Sequence, residues 1–179
     1  MTSTPHSTER ADILETLAKH RDLFRHTVQG LTDEQASTRT TASELTLGGL
    51  IKHVAGVERQ WAAFVVDGPA AGGIDWANID WSNPPPEVQE YADGFRLVDG
   101  ETLESALAEY DAAAAATDAL VESVASLDDS HELPAAPWFP PGARWSARRV
   151  FLHIVAETSQ HAGHADIIRE SLDGQKSMG

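Results

Sequence analysis

Apolar residues recur at spacings of three and four positions through four long segments of the chain. Such spacing places them on one face of an α-helix, whereas long alternating runs of β-branched residues, which typify strands, are missing. We therefore predict an all-α protein. Long helices are expected at residues 9–29, 46–66, 102–127 and 146–172, with a shorter helix near residues 86–93.

Capping residues support several of these boundaries. Thr46 is expected to cap the second long helix at its N-terminus. Thr32 and Gln35 have the spacing of a capping box, which predicts a short helical turn. Gly48 and Gly49 lie in the first turn of the second long helix, where they lower helix propensity but permit another backbone to approach closely.

Two stretches between the helices are irregular. Residues 67–100 contain several glycines and three consecutive prolines, and residues 128–144 contain four more prolines. Such unequal connections are typical of a four-helix bundle with a long crossover connection. Because 179 residues fit one domain, we expect residues 1–179 to form a single unit, with residues 1–7 and 175–179 as flexible ends.

Composition argues against several classes of function. The 28 acidic and 13 basic residues give a formal charge of -15, which repels phosphate backbones and anionic lipids. Cysteine is absent, so any metal has to be held by oxygen and nitrogen donors. No apolar run approaches the ~18 residues that span a bilayer, and residues 1–6 lack the pattern of a signal peptide. We expect a cytoplasmic protein without nucleic-acid or membrane partners.

The last helix carries four ionisable side chains on one face. His153, Glu157, His161 and His164 follow one another at offsets of four, four and three. Glu157 and His161 also fall on the apolar stripe that is expected to face the core. Burying a carboxylate and an imidazole without partners costs several kcal/mol, so another group has to compensate them.

His53 is a similar exception on the second long helix, where it falls among apolar residues. One ligand from this helix and two from the last can converge on a metal ion inside a bundle. Histidine nitrogen and carboxylate oxygen suit zinc, nickel, iron or manganese, and three protein ligands leave coordination positions open.

The residues alone leave other interpretations. A lone histidine on an amphipathic helix is more often a core or boundary residue than a ligand, and this applies to His53. Glu157 and His161 have a spacing that also suits a buried hydrogen-bonded pair. His153 and His164 lie toward the edges of the stripe, where packing is the simplest role. The alternatives are contact with the metal ligands, contact with the substrate, or completion of the metal shell.

Two segments resemble the DinB/YfiT-like superfamily: LTLGGLIKHVAGVE (residues 45–58) and LHIVAETSQHAGHADIIRE (residues 152–170). The likeness covers nearly the whole chain and points to a branch of actinobacterial proteins related to mycothiol-dependent maleylpyruvate isomerase and mycothiol S-transferases. It implies a four-helix bundle that holds a metal by one histidine of the second helix and two ligands four residues apart on the last. Many members use two histidines for this pair, whereas the mycothiol-dependent isomerase uses glutamate and histidine. The resemblance therefore implies His53, Glu157 and His161 as ligands, with zinc as the expected ion.

The resemblance also implies a reaction. In the mycothiol- and bacillithiol-dependent relatives, the metal binds the low-molecular-weight thiol and presents it as a thiolate, which is the competent nucleophile. We therefore expect a divalent-metal-dependent thiol S-transferase or isomerase that uses mycothiol as cosubstrate on a small electrophile. The alternatives are a stress-related protein that binds a metal or small ligand without turnover, and a hydrolase that uses metal-bound water.

Residues beyond the ligands have weaker assignments. Arg144, Arg148 and Arg149 are candidates for clamping a carboxylated substrate, but solvated or structural ion pairs are the expected role of at least two of them. Three aromatic residues are candidates for lining a pocket mouth or for covering the core: Trp138, Phe139 and Trp145. The alanine-rich third long helix is a candidate surface for a homodimer.

Overall fold

A computed structural model describes residues 8–71, 74, 76 and 78–177 of the chain. It contains six α-helices within these residues: α1 (Thr8–His26), α2 (Asp33–Ser37), α3 (Leu47–Asp67), α4 (Pro86–Asp93), α5 (Leu103–Ser123) and α6 (Ala147–Asp173). A 3-10 turn (Gly68–Ala71) follows α3. The protein is therefore mostly helical, and all five predicted helices and the predicted turn at α2 are confirmed.

The predicted caps are also present. Thr46 Oγ1 accepts a hydrogen bond of 3.2 Å from the Gly49 amide, and Thr32 and Gln35 form the reciprocal bonds of a capping box. The first helix ends at His26, earlier than predicted, because the chain then tightens into turns that end at Gly30 with φ of 73°.

The ends of the chain are described in part. Residues 1–7 and 178–179, which were expected to be flexible, lie outside the described residues. Residues 175–177 fold back on α6, where the Ser177 amide donates to Asp166 Oδ1 at 2.6 Å and Lys176 Nζ lies 2.8 Å from Glu170 Oε1. The single-domain organisation stays a prediction.

A short hairpin corrects the expectation that residues 128–144 are irregular throughout. Strands β1 (Ser130–Glu132) and β2 (Arg144–Ser146) pair antiparallel, with His131 opposite Trp145. The strands are too short to show an alternating pattern in the sequence, and their side chains pack on α3: the rings of His131 and Phe64 lie 5.8 Å apart. Tertiary contact, rather than local preference, therefore forms this sheet.

The four long helices pack around a shared core. Helix α1 contacts α5 and α6, and α3 contacts the same two helices on its own side. Two clusters of buried apolar side chains fill the space between them, one around Leu50, Val54 and Tyr110 and the other around Leu17, Val121 and Ile154. Within the described residues, no helix combines the length and apolar character that a membrane span needs.

Glu157, which the sequence predicts on the core-facing stripe of α6, is half-buried, and its neighbour Thr158 is buried instead. In α1 the buried polar residue is Arg21, next to His20. Arg21 forms a buried ion pair with Glu58 of α3. Adjacent residues of a helix are rotated by about 100° around its axis. Where two adjacent residues are both polar, the sequence pattern alone therefore does not show which of them faces the core.

Candidate metal centre

His53, Glu157 and His161 come together where α3 packs against α6. Each offers one ligand atom, and the three atoms lie within 4.8 Å of one another. His161 Nε2 is 3.6 Å from Glu157 Oε2, and the rings of His53 and His161 meet edge to face with centroids 4.9 Å apart. The structure thus brings the three residues singled out in the sequence into one donor group.

The electrostatics favour the ligand forms of two donors. Desolvation, with a smaller effect of the neighbouring His161, lowers the pKa of His53 to about 4, so its imidazole is neutral at neutral pH. Contact with His161 lowers the pKa of Glu157, which keeps this carboxylate ionised. A neutral imidazole and an ionised carboxylate are the forms that bind metals.

Glu157 has no lysine or arginine partner in the part of the chain that the structure describes. Its ion-pair contacts are with His153 and His161, each at 3.6 Å. The Glu157 side chain is 26% exposed, so water screens it only in part. A half-buried carboxylate beside imidazole rings is a candidate ligand for a cation.

His153 supports the donor group from the side without joining it. Its Nε2 lies 3.6 Å from Glu157 Oε1, and it is not one of the three converging donors. The ring meets Trp61 and Trp145 edge to face, with both centroids 4.9 Å away, beside the stack that these two tryptophans form with each other. This packing fixes the histidine next to the carboxylate.

His164 does not complete the donor group. Its Nδ1 lies 3.4 Å from Nδ1 of His161, and it is not among the residues that converge with His53 and Glu157. The structure therefore favours three protein donors over four, which is the arrangement expected of an open rather than a closed coordination shell.

A cavity of about 410 Å³ opens directly onto the donor group, because His53, Glu157 and His161 form part of its wall. This volume lies in the range of small-molecule sites. Much of the remaining wall is aromatic and comes from α3, from the crossover between α3 and α5, and from the loop between the strands: Trp61, Phe64, Trp76, Tyr91, Phe95, Trp138 and Phe139.

Phe95 of the crossover fixes the ring of His53. The two rings stack with centroids 4.2 Å apart and an interplanar angle of 21°. This close approach depends on Gly49, since a Cβ there would lie 2.0 Å from the Phe95 carbonyl oxygen. A Cβ on Gly48 would meet a side-chain atom of Leu97 at 2.6 Å. The expectation of close backbone approach is therefore confirmed at Gly49, whereas the nearest neighbour of Gly48 is a side chain.

The three arginines in β2 and at the start of α6 are not placed to clamp a substrate. None of them is among the described wall residues of the cavity. Arg148 forms ion pairs with two carboxylates. Arg144 Nε donates to Ser130 Oγ at 3.3 Å, and the guanidinium of Arg149 lies 4.4 Å from the ring centroid of Trp145. Structural roles therefore account for all three.

The aromatic candidates divide into two groups. Trp138 and Phe139 line the cavity. Trp145 is not among the wall residues and stacks on Trp61, with ring centroids 4.7 Å apart. Both Trp145 and Phe139 also pack against the second apolar cluster. Sequence analysis does not predict the place of Phe95, because the crossover has no periodicity; the glycine pair opposite it is the only local signal.

The fold and the site together define a mostly helical protein with a histidine and carboxylate donor group in the wall of an aromatic cavity. The chain belongs to the mycothiol-S-transferase family, whose model matches residues 12–174. A solved structure, the crystal structure of the conserved protein of locus from Enterococcus faecalis, is 16% identical with a TM-score of 0.63, covering 91% of this chain and 96% of that chain. At this identity the likeness shows the fold alone. A comparison with curated proteins gives no match.

Proposed function

We propose that His53, Glu157 and His161 bind a divalent metal ion, and that the protein acts as a metal-dependent thiol S-transferase. The observation that carries this proposal is the donor group, with three ligand atoms within 4.8 Å of one another at the wall of a cavity. Membership of the mycothiol-S-transferase family supports the reaction class and mycothiol as the thiol.

The residues present fit such an ion. Two imidazole nitrogens and one carboxylate oxygen suit zinc, nickel, iron or manganese, and we propose zinc. The negative charge of Glu157 lacks a cationic side chain among the described residues, so an ion would supply the compensating charge. The site borders a cavity, so a small molecule has access to the ion.

The chemistry that the ion would supply is stabilisation of the thiolate over the thiol, which makes the cosubstrate a nucleophile at neutral pH. In the transfer, the thiol sulfur bonds to an electrophilic carbon, the leaving group departs with the electron pair of the broken bond, and the thiol proton passes to solvent. The chain has no cysteine, so the sulfur has to come from the cosubstrate. The task of its own residues is to hold the ion and to bind the electrophile beside it.

Further parts of the proposal concern architecture and location. We propose that the four long helices form the four-helix bundle with a long crossover that the resemblance implies. A homodimer through α5 and a cytoplasmic location stay predictions.

The first test is metal content. Protein purified without added metal is analysed by inductively coupled plasma mass spectrometry, with His53→Ala, Glu157→Ala and His161→Ala as variants and Gln160→Ala, an exposed position of the same helix, as the control. We expect near-stoichiometric metal in the wild type and the control and a strong loss in the three variants. Undiminished metal in all three variants would contradict the site.

The second test is conjugation. Metal-loaded protein is incubated with mycothiol and a bimane or halogenated dinitrobenzene, and product formation is followed with and without chelator. We expect conjugation that depends on metal and is lost in Glu157→Ala. Bound metal with no conjugation above the uncatalysed rate would instead favour a binding protein.

A further inference from the structure

The wall of the cavity is built for contact with flat apolar surfaces. Trp76 of the crossover meets Tyr91 of α4 edge to face at 5.0 Å between centroids, and its ring lies 5.8 Å from that of Trp138. Rings from three separate segments thus share one side of the cavity. Aromatic pairs gain most from offset or edge-to-face neighbours, so another ring placed among them would be stabilised in the same way.

These rings are not buried by the protein itself. Tyr91 is 50% exposed and Trp138 is 60% exposed, although both line the cavity. Large exposed aromatic side chains around a concave site typically mark a surface that a ligand covers. Both rings line the same cavity as the donor group, where an electrophile has to bind if the proposed reaction takes place.

The cavity lacks the groups that recognise an anion. No lysine or arginine is among its described wall residues, and its ionisable groups are Glu157, Tyr91 and three histidines. Lys52 and Arg59 line the adjoining cavity that shares Trp76 and Tyr91, but each is paired with a carboxylate, Glu101 and Glu109 respectively. Without the ion, a carboxylate on the ligand would be desolvated among aromatic rings without a cationic partner, near a carboxylate of the same sign. With the ion bound, its two positive charges would be balanced by Glu157 and the thiolate, so no net positive charge would remain for a carboxylate of the electrophile. The chain's formal charge of -15 adds long-range repulsion.

We infer that the electrophilic substrate is an uncharged, flat aromatic molecule, held by the rings of Trp76, Tyr91 and Trp138 beside the donor group. This inference rests on the proposed transferase function and specifies its second substrate. It separates this protein from enzymes that bind dicarboxylates through cationic side chains such as arginine.

The test measures binding without chemistry. Protein stripped of metal by chelator is titrated calorimetrically with 1,3-dinitrobenzene, which is uncharged and has no leaving halide, and with 3,5-dinitrobenzoate, its anionic analogue. We expect the uncharged ring to bind at least about tenfold more tightly, because the anion has to lose hydration without gaining a partner. Equal affinity, or preference for the anion, would overturn the inference.

Two exposed tryptophans provide a matched pair of variants. Trp138 lines the cavity, whereas Trp81, which is 67% exposed, is not among its wall residues. Trp138→Ala is expected to weaken binding of 1,3-dinitrobenzene by about two- to tenfold, the range of one aromatic contact. Trp81 lies outside the wall but near Trp76, with ring centroids 6.5 Å apart, so Trp81→Ala should have a clearly smaller effect. Equal effects of the two substitutions would contradict the assignment of the binding surface.

A gain of function tests the charge argument directly. Gln60 lines the cavity from α3 and is exposed, so a longer cationic side chain is accommodated there. Gln60→Arg is expected to improve binding of 3,5-dinitrobenzoate by at least about threefold, while Gln60→Leu does not. No improvement with arginine would mean that missing positive charge is not what excludes the anion, and would count against the inference.

The binding and conjugation assays test the two proposals separately. Metal-free protein that prefers the uncharged ring, but shows no conjugation when loaded with metal and mycothiol, would contradict the transferase proposal alone. Protein that conjugates mycothiol, but binds the anionic ring as well as the uncharged one, would contradict the substrate inference alone.

Discussion

Helix α3 contributes to two groups of polar residues, each of which contains a carboxylate removed at least partly from water. The two carboxylates differ in their partners. In the first group, the carboxylate of Glu58 is fully buried and is paired with Arg21, whose Nη1 also donates to Asp118 Oδ1 at 2.8 Å. In the second group, the carboxylate of Glu157 is half-buried, and its ion-pair partners among the described residues are histidines. The buried carboxylate of Glu58 thus has a permanent cation as its partner, and that of Glu157 has none among these residues.

The difference separates a structural ion pair from a candidate binding site. Arg21 brings the positive charge and the donors that Glu58 needs, so no further group is required there. The donor group of His53, Glu157 and His161 has nitrogens and oxygens directed to one place and borders a cavity. Charge balance within each group therefore distinguishes them better than burial does.

The largest expected effect comes from breaking the ion pair between Arg21 and Glu58. Arg21→Met leaves the Glu58 carboxylate buried and unpaired, which should lower the free energy of unfolding by about 3–5 kcal/mol. Urea denaturation followed by circular dichroism measures this change. Metal content should stay at the wild-type level in whatever fraction remains folded, because the donor group does not include Arg21.

A double variant is the control for that result. Arg21→Met combined with Glu58→Met removes both charges and keeps apolar volume, so stability should recover most of the loss. If the double variant is as unstable as the single one, the unpaired carboxylate is not the cause.

Substitutions in the donor group should have the opposite effect to Arg21→Met: a large loss of metal affinity and a small loss of stability. Removing a partner that only orients a ligand typically costs 10–100-fold in metal affinity, so removing a ligand should cost more than about 100-fold. His161→Ala and Glu157→Ala are expected to reach this level in competition titrations with a chromogenic chelator. The stability of the metal-free protein should change much less than in Arg21→Met, because no buried counter-charge is lost.

A large loss of stability in metal-free Glu157→Ala, equal to that of Arg21→Met, would contradict the comparison. It would show that Glu157 is held in a structural network like that of Glu58. The wild-type protein should also gain thermal stability on adding metal, and His161→Ala should not.

The two groups differ in how far the sequence predicts them. His53, Glu157 and His161 stand out because each interrupts an apolar stripe, and a spacing of four on one helix aligns two ligands whatever the rest of the fold does. Arg21 and Glu58 escape prediction because each has a polar neighbour, His20 or Arg59, that obscures which position faces the core. The long helices are predictable for a similar reason, because their apolar residues also repeat at a spacing set by the helix itself.

The wall of the cavity is the part that the sequence does not show. Its rings come from segments without periodicity, and their positions depend on contacts such as that between Phe95 and His53. The hairpin that precedes α6 is similar, since its three-residue strands have no pattern of their own. Features that depend on long-range packing are therefore missing from the prediction, whereas features repeated along one helix are present.

A smaller effect is expected from the histidine that contacts the unbalanced carboxylate. His153→Phe keeps a ring against Trp61 and Trp145 but removes the nitrogen 3.6 Å from Glu157 Oε1. Metal affinity should fall by about 10–100-fold, as for other partners that orient a ligand. Chelator competition measures the affinity. Wild-type affinity in His153→Phe would mean that the histidine acts through packing alone, and His153→Ala would then show the larger loss.

The smallest effect is a dependence of stability on pH in the metal-free protein. Burial lowers the pKa of His53 to about 4, whereas the unfolded chain takes up this proton near the ordinary value of 6.5. Between these values the unfolded state binds more protons, so the stability present above pH 6.5 is lost as the pH falls toward 4. Burial lowers the pKa of His153 as well, which adds to the trend in the same direction.

We expect the free energy of unfolding of the metal-free protein to decrease by an amount on the order of 1 kcal/mol between pH 7 and pH 5, measured by urea denaturation. The decrease should be smaller in His53→Gln. With metal bound the decrease should be steeper, because protons then compete with the ion for the same nitrogens. Equal slopes with and without metal would indicate that the ion is not held by these histidines, and would place the second group alongside the first as a structural one.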